Sequence, residues 1–228
     1  MSIRVRYEKA LQDVFDNLVL MCRRIETAIE KSIRSLTERD MELALEVFEE
    51  DKLIDDMEHD IEQACLKILL MEHPVASDFR EVTAALKMIT DLERMGDQAR
   101  DIAEIATEFG NEEYIKKLEH IPQMAVIVTQ MVKDGVQAYI NRDLELARSL
   151  DKTDDKVDNL FDTIMSDLTV LIKENPANAE QAIMFMMITK YLERIGDHAV
   201  NIGEWVEYAI TGNRPNNERY HETSNLRH

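Results

Sequence analysis

Residues 91–102 read DLERMGDQARDI and residues 191–202 read YLERIGDHAVNI, with seven of twelve positions identical at an offset of 100. In a chain of 228 residues, a phrase repeated at that distance makes the fold a duplication, because whatever one half builds the other builds again. A second pair agrees: RDMELA at 39–44 returns as RDLELA at 142–147. Upstream of it, Met21, Ile25 and Ala28 find Met124, Val128 and Met131 at the same offset of 103. Residues 6–110 and 118–211 therefore read as two copies of one unit.

The unit is helical. No glycine occurs before Gly96, and only six Gly and four Pro punctuate the whole chain. Pro74, Gly110-Asn111, Pro122 and Asn175-Pro176 are the strong breaks. Between them apolar residues recur at helical spacing, as in Leu11, Val14, Phe15, Leu18, Met21, Cys22, Ile25, Ala28, Ile29 and Ile33. The pattern predicts six long helices, roughly over 6–38, 40–72, 76–109, 121–140, 142–173 and 177–211. Long helices on short connections fold back on their neighbours, so the predicted fold class is all-α, two tandem pseudo-symmetric three-helix bundles. Residues 212–228 are polar and aperiodic and read as a disordered tail; the Glu218-x-x-His221 spacing inside it has no supporting context.

Net charge is −19, which argues against nucleic acid as a partner and against electrostatic docking on an anionic membrane. No run of 18 apolar residues and no N-terminal apolar signal core is present, so a cytoplasmic protein without direct membrane insertion is expected. Cys22 and Cys65 lie on apolar stripes and form no C-x-x-C, which fits buried free thiols.

The repeated phrase carries a ladder of acids. Glu93, Asp97 and Asp101 stand at i, i+4 and i+8, an arc of about 80° along one side of a helix, beside the apolar stripe of Ala85, Ile89, Leu92, Gly96, Ala99 and Ala103. Glu193, Asp197 and Asn201 repeat it, with Asn keeping an oxygen at the third rung. Such a ladder is a solvated face when a cation such as Arg100 neutralises it; in the second copy Val200 takes that position while the acids stay. Gly96 and Gly196, each inside a helix, predict close approach of a neighbouring helix. The preceding helix of each half brings its own pair: Asp51 with Asp55, and Asp154 with Asp158. Antiparallel packing sets these opposite the first ladder and gathers four or five carboxylates on one seam of each bundle, a density that metal ions relieve. Glu58, His59 and Glu62 extend the first set, and Asp151 and Asp162 the second. Nearly all-oxygen donors favour Mg, Mn, Ca or ferric iron over a thiolate-type zinc site. His198 points about 100° away from Asp197 and is a poorer ligand.

Two three-helix repeats, each with D-x-x-x-D followed by L-E-R-[IM]-G-D-x-A-x-[DN]-I, resemble the PhoU family of bacterial phosphate-signalling proteins over about residues 6–211. The resemblance implies multinuclear metal clusters, iron first, with zinc, manganese or magnesium as alternatives. One cluster would use Asp51, Asp55, Glu93, Asp97 and Asp101, the other Asp154, Asp158, Glu193, Asp197 and Asn201. It further implies a cytoplasmic negative regulator of the phosphate-starvation response. Such a regulator links the ATPase of a phosphate ABC transporter to a sensor histidine kinase, and it forms a homodimer. Two departures set the clusters apart, Asn201 against Asp101 and Asp162 against His59.

Two other readings compete. A carboxylate-bridged di-metal enzyme is disfavoured, since no E-x-x-H pair outside the tail and no P-loop, H-E-x-x-H or G-x-S-x-G signature occurs, and no enzyme is expected. A metal-free helical scaffold would use the same acids only as solvated faces.

Overall fold

The structure is a computed structural model that describes residues 3–110 and 113–213. Six helices carry it: α1 (Ile3–Glu38), α2 (Met41–Met71), α3 (Ser77–Glu108), α4 (His120–Asn141), α5 (Leu144–Glu174) and α6 (Ala179–Thr211). A short 3-10 turn, Pro176–Asn178, precedes α6 and moves its start two residues beyond the expected 177. Asn175 makes that turn, its side chain accepting from the Ala177 amide while Pro176 follows at a position needing no donor.

The repeated RD phrase is the α1–α2 and α4–α5 turn. Asp40 caps α2 by accepting from the Glu42 and Leu43 amides at 2.9 and 3.3 Å, and Asp143 caps α5 by accepting from Leu146 at 3.0 Å. The arginine before each aspartate takes a left-handed conformation, φ 56° at Arg39 and 54° at Arg142. A non-glycine residue there is strained, and both guanidiniums are anchored. Arg142 donates to Glu81 of α3 at 2.9 Å, and Arg39 lies 4.3 Å over the Tyr114 ring. Gly212, at φ 81°, ends α6 in the position where glycine costs least.

Each set of three helices packs as a bundle, α1–α2–α3 and α4–α5–α6. The bundles join through α3 against α6 and α1 against α4, so α2 and α5 touch only helices of their own bundle among the described residues. One hydrophobic core runs through both. Every member of the predicted α1 stripe is buried in it except Phe15, which is partly buried and packs edge-on to Tyr139 of the other repeat. Cys22 and Cys65 are free and buried, and burial pushes both thiols up, Cys65 to about 12. No helix among the described residues is long and apolar enough to cross a membrane. The disordered-tail expectation for 212–228 falls, from residue 214 on, outside the described residues.

Candidate metal centre

Both acidic seams form where α2 meets α3 and where α5 meets α6. In the first, Asp51 of α2 is 6% exposed and meets α3 through Arg100, whose Nη1 lies 3.2 Å from Asp51 Oδ2 and 3.5 Å from Asp97 Oδ1. Asp55 and Glu93 are close enough for their charges to act on each other and on Asp97. Loss of hydration raises both carboxyls, the Asp97 charge raises them further, and arginines oppose the shift. Asp51 is raised too, first by burial, then by Asp55 and Asp97 against Arg100. The second seam repeats this. Asp154 is 3% exposed, and its Oδ1 lies where a Cβ on Gly196 would come within 2.8 Å. Asp197 is exposed as a residue, yet packing strips water from its carboxyl. With the Glu193 and Asp158 charges, this pushes it up to about 6 against Lys190 and His198.

Close approach at the glycines explains the tightness. A Cβ on Gly96 would meet Ile54 of α2 at 3.1 Å, and Gly196 faces Asp154 and Val157 of α5. The helices come near because the methyl is missing, and the carboxylates are drawn in with them.

The third rung departs from the expectation. Eight residues along a helix rotate a side chain about 80° from the first rung, enough to turn it from α2 or α5 toward the other repeat. Asn201 donates through Nδ2 to Asp91 Oδ1 of α3 at 3.1 Å, and His198 Nδ1 lies 2.9 Å from the same oxygen. Asp101 pairs with Arg100 at 3.1 Å and hydrogen-bonds Tyr191 of α6. Partial burial and then the Asp101 charge raise that phenol above its ordinary value. Positions 91 and 191 thus face positions 201 and 101 across the pseudo-twofold axis. Were the copies identical, with Asp at 91 and 101 and their equivalents, two carboxylates would oppose each other at each contact. Asn201 and Tyr191 remove that repulsion, a better account of the Asn than retention of a ligand oxygen. Spacing singles out neither Asp91 nor Tyr191, and it sets His198 aside as a poorer ligand; the mismatches inside an otherwise repeated phrase are the signal that all three share.

Among the described residues no three His, Cys, Asp or Glu side chains stand close enough to hold an ion as placed. Side-chain cations occupy them instead. Arg94 reaches Asp97 at 3.1 Å and Glu93 at 3.5 Å, Arg100 spans Asp51, Asp97 and Asp101, and Lys190 pairs with Glu193. His59 is exposed, and Glu58 raises the Glu93 carboxyl by its charge. The donor set still fits a hard cation: all oxygen, short of hydration, with Asp51 Oδ1 buried and without a hydrogen-bond partner. The inner residues that converge are Asp51, Asp55, Glu93 and Asp97 on one seam and Asp154, Asp158, Glu193 and Asp197 on the other.

The PhoU domain family model matches residues 18–106 and 121–206, once for each bundle. The "Phosphate-specific transport system accessory protein PhoU homolog" of Clostridium acetobutylicum is 34% identical over 207 residues, covering 90% of this chain and 94% of its own. The crystal structure of PhoU from Pseudomonas aeruginosa superposes with a TM-score of 0.86 at 31% identity, over 91% of this chain and 100% of that one. The crystal structure of the phosphate transport system regulatory protein PhoU from Streptococcus pneumoniae shares the fold at 24% identity with a TM-score of 0.82, over 94% and 100%. With both repeats matched and the motif acids gathered on two seams, the chain belongs to the PhoU family.

Proposed function

We propose that this chain is a regulatory accessory protein of phosphate transport whose two acidic seams bind metal ions. The observation that carries the reading is the match of both repeats to the family together with convergence of the motif carboxylates on each bundle. In this reading it is a cytoplasmic homodimer and a negative regulator of the phosphate-starvation response. It restrains both the phosphate transporter ATPase and a sensor histidine kinase when phosphate is plentiful. A bound cation would neutralise the crowded carboxylates and tie α2 to α3 and α5 to α6, stiffening the surfaces that face partners. Asp51 and Asp154 would hold it from below, with Asp97 and Asp197 closing the seam from the facing helix.

Deleting the gene and following a starvation-induced reporter in phosphate-rich medium tests the regulatory half. Derepression is expected, and an unchanged reporter would sink it. Metal content after purification without added ions, in wild type and in Asp97→Ala plus Asp197→Ala, tests the seams; equal content in the two overturns the assignment. One observation favours the scaffold reading, namely the arginine and lysine contacts that already neutralise these acids. Melting with and without chelator separates them, because an ion bound only by the folded form raises the midpoint by mass action.

A further inference from the structure

The two repeats end their second helices differently. In the first, the end of α2, the α2–α3 turn and the start of α3 present Leu66, Leu70, Met71, Val75 and Phe79 to water, with Leu70 and Val75 each 73% exposed. By the offsets of the repeat, and by the proline that opens each turn, the corresponding residues of the second repeat are Thr169, Lys173, Glu174, Ala177 and Ala179. The second repeat thus builds the same hairpin without a large apolar residue at any of these positions. The fold does not require the apolar tip, and a cluster of exposed apolar side chains that folding does not require marks an interaction surface.

The backbone of the first tip is strained as well. His73 and Ala76 take φ values of 48° and 50°, and Ala76, at ψ −113°, starts α3 without a side-chain cap. The second turn avoids this through the Asn175 cap and Pro176. Strain of this kind collects at functional sites, and here it brackets Val75. Side chains as exposed as Leu70 and Val75 stand proud of the surface. A convex apolar tip needs a matching hollow in a protein partner, whereas the fluid boundary of a lipid bilayer yields around it.

Charge favours the same occupant. The start of α1 lies at this end, since Arg4 pairs with Asp78 and Arg6 with Glu72. Residues 3–10 and 66–80 hold five cations, Arg4, Arg6, Lys9, Lys67 and Arg80, against three carboxylates, Glu8, Glu72 and Asp78. The net charge of −19 opposes seating the chain as a whole on an anionic surface, yet this end carries a local excess of cations around its apolar residues. We propose that the α2–α3 tip seats the protein on the surface of an anionic lipid bilayer. Leu70, Met71, Val75 and Phe79 enter the boundary between headgroups and acyl chains, while Arg4, Arg6 and Lys67 meet lipid phosphates. The seating is shallow and reversible, because so small an apolar set holds no better than a single acyl chain. It needs no membrane-crossing helix, and it turns the acidic remainder of the chain toward solvent.

Cosedimentation of the full chain with phosphatidylcholine–phosphatidylglycerol vesicles tests this. Wild type should bind, and Leu70→Glu with Val75→Glu should lower the binding by about tenfold or more. Arg4→Gln with Arg6→Gln should weaken it about fivefold or more, as should raised salt. Val170→Glu, at an exposed position of the second repeat, should leave it unchanged. Circular dichroism checks the fold, and Leu70→Ser with Val75→Ser takes the place of the glutamate pair should that variant not fold. Vesicles that wild type leaves unbound, or binding that either the apolar pair or the arginine pair leaves unchanged, overturn the proposal. A wild-type dimer that the apolar variants break, without vesicle binding, overturns it in favour of a second copy of the chain as the occupant.

Discussion

At position 203 a methyl group has nowhere to go. A Cβ there would lie 2.8 Å from the Ala147 carbonyl oxygen of α5, which is backbone and cannot turn aside. Gly203→Ala should therefore lower stability by about 1–3 kcal/mol in urea denaturation, even though alanine gains about 1 kcal/mol of helix propensity. Gly96 differs, because its contact at 3.1 Å is the flexible Ile54 side chain. Asp197 offers a second test at this scale. Its carboxyl is raised to about 6 from 3.8, so the folded protein holds that proton more tightly than the unfolded chain. The stability this contributes is complete below about 4 and is lost as pH rises through about 6. Asp197→Asn removes that dependence. Stripped of metal, the variant should exceed wild type at pH 7.5 by at most about 1 kcal/mol after solvent screening, with the gap closing toward pH 4. Urea midpoints across that range check it, and a gap that widens on acidification would contradict the assignment.

At the scale of elements, the α3–α6 contact is where duplication meets electrostatics. The third rung turns away from α2 and α5, so identical copies would set carboxylate against carboxylate between α3 and α6. Asn201 against Asp91, and Tyr191 against Asp101, avoid it. Restoring the symmetric residue with Asn201→Asp is expected to cost about 1–2 kcal/mol near neutral pH, through a lost hydrogen bond and a new like-charge pair. Adding Asp91→Asn should return most of that loss. A double-mutant cycle with no coupling between the two positions would break the assignment. The capped RD turns belong to this scale too. Asp40 and Asp143 start their helices as their residue type suggests, whereas the left-handed arginines before them are held by groups distant in sequence, Tyr114 and Glu81.

For the whole molecule, the duplication yields halves that complete each other. Met88, Leu92, Met95, Ile188, Leu192 and Ile195 all lie in one core, with α3 on α6 and α1 on α4. Separating the halves exposes those faces to water at about 25 cal/mol per Å² of apolar area. Residues 1–110 expressed alone should therefore self-associate or unfold, as read by size-exclusion chromatography and circular dichroism. A stable monomeric half with native helicity would show that the bundles are independent.

The helices, their number and the duplication were legible in the sequence because each depends on local periodicity, on capping residues and on a register that repeats by eye. The convergence of D-x-x-x-D with E-x-x-x-D was legible for the same reason: short connections leave antiparallel packing as the simple solution, and glycines on one face mark where helices touch. Tertiary structure alone decided the direction of the third rung, the neutralisation of the first seam by Arg100 and the pairing of Asp91 with His198 and Asn201. Each of these joins side chains on different helices, and helical periodicity specifies which face a residue lies on but not which neighbour that face meets.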